Sequence, residues 1–259
     1  RPGRAALVAN LSADLVQGDL ESPVSLERAV RGVEVVHHLG ARAIFEEYEV
    51  VRPTIVGGSI ALMKAAIAAG VRRFVYASSL LVYPSRKEPI GRETPARPEL
   101  GYGRAKLEAE EELARLAGAA GIELAIVRLP HVYGARDLMF DQVRRGRVLF
   151  PGGGRNLFAH LHVRDAARIL VAAAGKGWTG VSPVADELAL DWRGFFALIR
   201  AYYPRFRCHG IPRWAALLGT RLLTPIRRLG RHPSLYTPDA VKGWNQNVAV
   251  EPGLLWGEL

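Results

Sequence analysis

Apolar residues along the chain alternate between short runs and helical spacing, the pattern of strands joined by single helices. Asp14 to Asp19 reads as a short strand ending in a turn, and Ser22 to Arg31 as a helix with Pro23 in its first turn. Val33 to Leu39 reads as a buried strand stopped by Gly40, followed by a helix from about Ser59 to Ala69 that ends at Gly70. Arg73 to Ser78 is the next strand. After a loop carrying Pro84, Pro89, Pro95 and Pro98 comes a helix over Gly103 to Ala117, then a strand over Ile122 to Leu129 closed by Pro130. Strands separated by single helices imply a parallel sheet covered on both faces, and such sheets bind ligands beyond the carboxyl ends of their strands. Asp19, Gly40-Ala41, Ser78-Ser79 and Pro130-His131 fall at those ends. Past residue 175 the alternation gives way to helices and Pro-containing loops, the expected look of a smaller substrate-covering lobe. The division is therefore 1–175 for the sheet domain and 176–259 for the lobe.

The 259 residues are 49% apolar and 23% charged, which is globular. No apolar run approaches the roughly 20 residues of a spanning helix. The single cysteine, Cys208, excludes a disulfide framework and a thiolate zinc cage and fits a reducing, cytoplasmic setting. The net charge of +10 comes from 30 Arg and 5 Lys against 25 acids. Arg-heavy, Lys-poor usage is a common imprint of genome composition, so no nucleic-acid partner is expected from it. The charge is uneven, however: from Arg193 to Arg231 there are nine Arg and no acid, interleaved with Trp214 and leucines. The favoured reading is a solvated helical face, and the sharper one is a surface for an anionic substrate or a peripheral contact with acidic lipid headgroups.

Tyr102 and Lys106 are four apart at the start of the longest helix, so they share one face. An ammonium beside a phenol favours the phenolate and suits proton exchange with a substrate hydroxyl. A second pair at this spacing, Tyr83 and Lys87, lies in a loop bracketed by Pro84 and Pro89, where no helix joins the side chains. Ser79, at the end of the preceding strand, stands 23 residues before Tyr102, where its hydroxyl can steady a substrate oxygen. His160 and His162 share a strand face but lack partners at ligand spacing, so they read as core or loop histidines and no metal is expected. His37-His38 reads as packing, and Glu108 to Glu112 as the solvated face of its helix. No Gly-x-Ser-x-Gly elbow occurs.

The run Tyr76-Ala-Ser-Ser-Leu-Leu-Val-Tyr83, then Tyr102-Gly-Arg-Ala-Lys106, resembles the extended short-chain dehydrogenase/reductases, also called the NAD-dependent epimerase/dehydratase family. Gly18-Asp19-Leu20, Val36-His-His-Leu-Gly-Ala41, Gly58-Ser59, Arg128-Leu-Pro-His-Val-Tyr-Gly134 and His162-Val-Arg-Asp-Ala-Ala167 extend the resemblance. It implies a Rossmann-type doubly wound α/β fold with a small C-terminal substrate lobe, and an NAD(P)-dependent oxidoreductase or epimerase acting on a secondary alcohol or ketone. By this resemblance Tyr102 is the catalytic acid/base. Lys106 lowers its pKa and holds the nicotinamide ribose, and Ser79 binds the reacting oxygen. Asp19 and Leu20 border the adenine, Leu39, Gly40 and Ala41 line the phosphate-ribose side, and Pro130 and His131 flank the nicotinamide. The cofactor is NAD or NADP, with NAD favoured. The substrate is a nucleotide sugar or a sterol- or flavonol-like alcohol, the latter suggested by Ile211-Pro-Arg-Trp214 and residues 233–237, which resemble the steroid-dehydrogenase and flavonol-reductase branch. A homodimer through the helices near 59–69 and 103–118 is a further expectation.

Three departures from the family pattern stand out. The opening strand, Gly-rich turn and helix that cradle a pyrophosphate have no counterpart, so the chain reads as a piece of a longer protein or a late gene start, with a gap expected in its sheet. The family's helix asparagine falls at Ile55. The chain also stops at Leu259, where relatives continue. The missing cradle opens a second reading, a non-catalytic nucleotide-binding or regulatory relative.

Overall fold

The computed structural model describes residues 11–43, 45–135, 137–229 and 237–259. Its centre is a four-stranded parallel sheet in the order β1 (Val35–His38), β2 (Arg73–Ser79), β3 (Glu123–Leu129) and β8 (Gly180–Pro183). Helix α1 (Pro23–Ala29) precedes β1. A long helix runs from Tyr48 to Ala68 as α2 (Tyr48–Arg52), a π turn over Pro53–Gly57 and α3 (Gly58–Ala68). Pro53 has no N–H to give to the ladder, and the wider turn beginning there absorbs the missing bond. Helix α4 (Gly101–Ala120) links β2 to β3 and ends at Gly121, whose φ of 70° suits glycine.

Alternation along the strands divides the core as the pleat requires. Phe74, Tyr76 and Ile126 face the layer of α1 to α4, while Val75, Ala125 and Val127 face α6 (Val163–Gly175) through Ala166, Ile169 and Leu170. The sheet is thus covered on both faces, as a doubly wound Rossmann-type fold demands. One helical stretch, residues 48–68, is long and apolar enough to cross a membrane by length and composition, a feature that a scan for unbroken apolar runs misses. Half of its apolar window is buried within the fold, and it packs against α4.

The remaining elements form the covering lobe: β4 (His131–Tyr133), α5 (Leu138–Arg144), β5 (Arg147–Pro151), β6 (Leu157–Phe158), β7 (His160–His162), β9 (Leu190–Asp191), α7 (Trp192–Tyr202), β10 (Arg207–Ile211), α8 (Arg213–Leu229) and α9 (Pro238–Trp244). Small ladders β4–β7, β5–β10 and β6–β9 hold it together. Its core joins Leu80 to Tyr83 with Phe150, Phe158, Trp192, Phe196 and Phe206. Chain from both sides of residue 175 builds this lobe, and β8, past residue 175, belongs to the central sheet.

One expectation about the sheet is corrected. Residues 14–18 form no strand, and Leu15 and Val16 are exposed. A strand requires a ladder partner, and the free edge of β1 has none among the described residues. The described sheet runs unbroken from β1 to β8, and β1 forms its edge among the described residues.

The Glu108 to Glu112 cluster is a further correction, since Glu110 is buried. Its carboxylate takes a two-point bond from Arg128 on β3, closing to 2.6 Å, and a hydrogen bond from the Ser78 hydroxyl on β2. Arg128 also donates to the Tyr83 hydroxyl at 2.7 Å. Removing one member of such a buried pair strands the other charge, at a cost of about 3–5 kcal/mol. Glu110→Ala is therefore expected to lower stability by about that amount in denaturant titration, whereas Glu111→Ala, on the exposed face, changes it by less than about 0.5 kcal/mol.

Candidate active site

β2 delivers Ser79 to its carboxyl end. The Ser79 hydroxyl accepts from the Leu81 N–H at 3.2 Å, ending the strand and starting a 3-10 turn over Leu80–Val82. Helix α4 begins beside that turn. A Cβ on Gly103 would run into the Leu81 carbonyl, and one on Gly101 into the backbone of residues 46–48. These two glycines let the helix start close against its neighbours, and Tyr102 stands between them. Asp239, from α9, accepts from the Gly101 N–H at 3.2 Å and places a negative charge at the positive end of α4.

Ser79 and Tyr102 line one cleft of about 280 Å3, together with Leu129, Pro130, His131 and Asp137. Much of the remaining wall is apolar, including Phe45, Leu80, Met139, Phe158, Trp192 and Trp244. Among the described lining residues the ionisable ones are Tyr102, His131 and Asp137, and none is Lys or Arg. Lys106 lies behind Tyr102. Its ammonium donates to the Ala77 carbonyl at 2.8 Å and sits 4.6 Å from the Tyr76 ring centre, but 6.0 Å from that of Tyr102.

The expected acidification of the phenol is absent from this geometry. Burial raises Tyr102 above the ordinary phenol value, and burial pulls Lys106 down to about 7 against the opposing charge of Glu110. Each desolvated group is driven toward its neutral form, and the amine lies 6.0 Å from the phenol ring centre.

The five other cofactor-side residues gather at the carboxyl end of β1, apart from the cleft. The Leu20 side chain lies where Cβ atoms on Gly40 and Gly58 would be. Leu39 is exposed, Ala41 packs at the edge of the α-helical layer, and the Asp19 N–H donates to Ser25 Oγ at 3.0 Å. A dinucleotide fits this division. Lys106 has donors beyond the one given to Ala77, and with Tyr102 and Pro130 it would meet the nicotinamide ribose end. Asp19, Leu20 and residues 39–41 would meet the adenosine end. Among the described residues no Gly-rich strand-turn-helix stands between them to cradle phosphates.

His38 is a packing residue: it stacks on Tyr76, bonds Ser59 Oγ at 2.9 Å, and burial lowers it to about 3. Ile55, at the asparagine position, is buried in the π turn, where its carbonyl accepts from Ser59. No group of three or more His, Cys, Asp or Glu side chains among the described residues is arranged to hold a metal ion. Sequence reasoning missed Asp137, whose Oδ1 caps α5 through the Met139 N–H at 3.2 Å while Oδ2 faces His131. The Asp-Leu-Met step at 137–139 carries the N-cap signal that marks it.

The NAD dependent epimerase/dehydratase family model matches residues 2–184, and the chain belongs to that family. It is 30% identical over 222 residues to protein y4nG of Sinorhizobium fredii, covering 82% of this chain and 56% of that protein. It is 29% identical to the 4-hydroxy-2-methyl-3-oxo-4-farnesyl-3,4-dihydroquinoline-1-oxide ketoreductase of Stigmatella aurantiaca, over 75% of this chain and 61% of that one. The fold is shared with a dTDP-glucose 4,6-dehydratase from Streptomyces venezuelae at a TM-score of 0.71 and 22% identity, covering 80% and 71% of the two chains. The chain thus spans between half and two thirds of the length of these curated relatives.

Because a β-carbon at residue 103 meets backbone rather than a flexible side chain, Gly103→Ala must move the start of α4. The variant is expected to lose about 1–3 kcal/mol of stability and to displace Tyr102 from Ser79. Thermal denaturation reads the first effect, and quenching of the cleft tryptophans by a bound ligand reads the second.

Proposed function

We propose that the full-length protein is an NAD(P)-dependent oxidoreductase acting on a secondary alcohol or ketone with an apolar skeleton. The observation carrying this reading is one cleft that holds Ser79 and Tyr102 against a largely apolar, aromatic wall, with Lys106 buried behind the tyrosine. Hydride exchange is the chemistry a bound nicotinamide supplies. The chain's own contribution is to steady the substrate oxygen at Ser79, to give or take its proton at the Tyr102 hydroxyl, and to exclude water with the lobe. Cationic side chains suit a diphosphate, and the described lining offers no Lys or Arg. This favours the apolar member of the substrate pair over a nucleotide sugar. The farnesylated substrate in the name of the Stigmatella relative supports the same choice.

The test uses the full-length protein. Tyr102→Phe is expected to lower turnover by about 10²-fold or more while sparing NADH or NADPH affinity. Wild-type protein that binds neither dinucleotide would instead support the non-catalytic reading. The pH profile has a definite sign. A phenol raised by burial keeps its proton to higher pH, so ketone reduction should hold its plateau through about pH 9 and alcohol oxidation should rise with pH. A reductive rate falling between pH 6 and 7 would place the proton donor on another group.

We also propose that α8 rests on an anionic membrane surface. Trp214, Leu218 and Leu222 are one turn apart on one face and 70%, 53% and 68% exposed. Arg193, Arg200, Arg205, Arg207, Arg213 and Arg221 are all exposed in a stretch without acids. Aromatic and leucine positions beside arginines are the composition of an interfacial helix. Vesicles containing phosphatidylserine should sediment the protein in a salt-sensitive way, and phosphatidylcholine vesicles should not. Replacing Leu218 and Leu222 with Glu should release it. Equal binding by that variant would exclude α8 as the contact.

A further inference from the structure

Along one wall of the cleft runs a chain of polar side chains that the Ser79, Tyr102 and Lys106 chemistry leaves unused. His131 and His160 are register partners in the parallel β4–β7 ladder, and their Nδ1 atoms lie 3.0 Å apart. His131 Nε2 lies 3.3 Å from Asp137 Oδ2. His160 Nε2 is buried with no hydrogen-bond partner, its ring stacked 4.1 Å from Phe195 and edge-on to Trp192.

Proton positions follow from the partners. A carboxylate only accepts, so His131 Nε2 carries a proton toward Asp137. In the Nε2–H tautomer the His131 Nδ1 is a lone pair, which accepts from the Nδ1–H of His160. That leaves the Nε2 of His160 as the bare, unpaired nitrogen. Burial supports a neutral His160, lowering it to about 2. Enclosing an unsatisfied imidazole among aromatic rings is costly compared with an apolar side chain of similar volume. The return for that cost is a His131 ring with fixed orientation and tautomer, presenting an N–H to the cleft opposite an acceptor. At 3.3 Å the His131–Asp137 contact is longer than an ordinary charge-assisted hydrogen bond, so it can open to admit a ligand atom.

Resting on the reading of this cleft as the oxidoreductase's substrate site, we infer that His131 and Asp137 read a second hydroxyl on the apolar substrate. That hydroxyl accepts from His131 Nε2–H and donates to Asp137 Oδ2. A hydroxyl satisfies both partners because it accepts and donates at one atom. A methyl ether only accepts and an amide N–H only donates. His160 is a positioning residue that holds His131 in the donating tautomer.

The experiment takes full-length protein with 1-tetralone, its ring-hydroxylated isomers and their methyl ethers as probes. Affinity is read by quenching of Trp192 and Trp244, and turnover by NADH or NADPH oxidation. At least one hydroxytetralone should bind about tenfold or more tighter than both the parent ketone and its own methyl ether. His131→Phe should remove that preference, so that the hydroxytetralone, its methyl ether and 1-tetralone bind within about twofold of one another. Asp137→Ser, which keeps a helix-capping oxygen, should do the same. His160→Phe should weaken the preference, and His160→Gln should restore some of it. Equal binding by every probe in the wild-type protein, or a preference that survives both His131→Phe and Asp137→Ser, overturns the inference. Hydroxyl-dependent binding without turnover would sustain this site while the oxidoreductase reading fails.

Discussion

The buried pair of Glu110 and Arg128 fixes the relation between helix α4 and the sheet, and the placement of every candidate catalytic group follows from it. Glu110 stands one turn beyond Lys106 on the same face of α4. Its carboxylate reaches Ser78 on β2 and Arg128 on β3, and Arg128 reaches on to Tyr83 below the cleft. Three elements are therefore clamped at the carboxyl ends of the strands, where α/β sheets bind ligands. With that clamp in place, Ser79 is the residue next to an anchored serine, and Tyr102 lies two turns upstream of an anchored glutamate. Ser79 is held further by the Leu81 N–H, which donates to its hydroxyl at 3.2 Å. The glycines flanking Tyr102 do the complementary work, removing the side chains that would hold the helix start away from the 3-10 turn.

The same burial that makes the site rigid sets its charge. Tyr102 and Lys106 shift in opposite directions, the phenol up and the amine down, because each loses water. Glu110 partly counters the loss at Lys106. In the free chain the pair is thus close to neutral, a protonated phenol with an amine drawn toward half charge near pH 7. A neutral phenol is a proton donor, the state that reduction of a ketone requires.

The elements richest in local signal are the most legible. β2, α4 and β3 lie where apolar periodicity, a Gly stop and Pro130 place them, and the Ser79, Tyr102 and Lys106 set lies on them. The long helix beginning at Tyr48 shows in the sequence pattern only from Ser59, because Pro53 and two glycines interrupt the periodicity while the π turn lets the helix continue. Residues 14–19 have strand composition but no ladder, which depends on partners that local pattern cannot report. Glu110 is hidden among the glutamates at 108, 110, 111 and 112. Periodicity does place it on the face of Lys106, but its burial becomes evident only once Arg128 is known to point back from the adjacent strand. The Asp137–His131–His160 chain is out of reach for a similar reason. It depends on the register of two three-residue strands 29 positions apart.

Pro130 marks the point where the chain passes from the sheet to the lobe. Up to Arg128 the strand pairs with β8, with Arg128 opposite Pro183. Pro130 cannot donate to a ladder, so pairing stops there. When it resumes at His131 the partner is β7 instead of β8. The chain leaving β8 stays joined to β7 through the Asp186 N–H, which donates to the His160 carbonyl at 2.8 Å, and Leu129, Pro130 and His131 at the change of partner line the cleft. The change of partner thus falls on the cleft wall, and the residue after Pro130 supplies a polar group to that wall. This also accounts for the mixed character of the site. The side bearing Ser79 and Tyr102 is built from the long ladders of the sheet and is held by a buried ion pair. Its opposite side is built from short ladders, whose shape rests on aromatic packing around Trp192, the more adaptable means of setting which substrate fits.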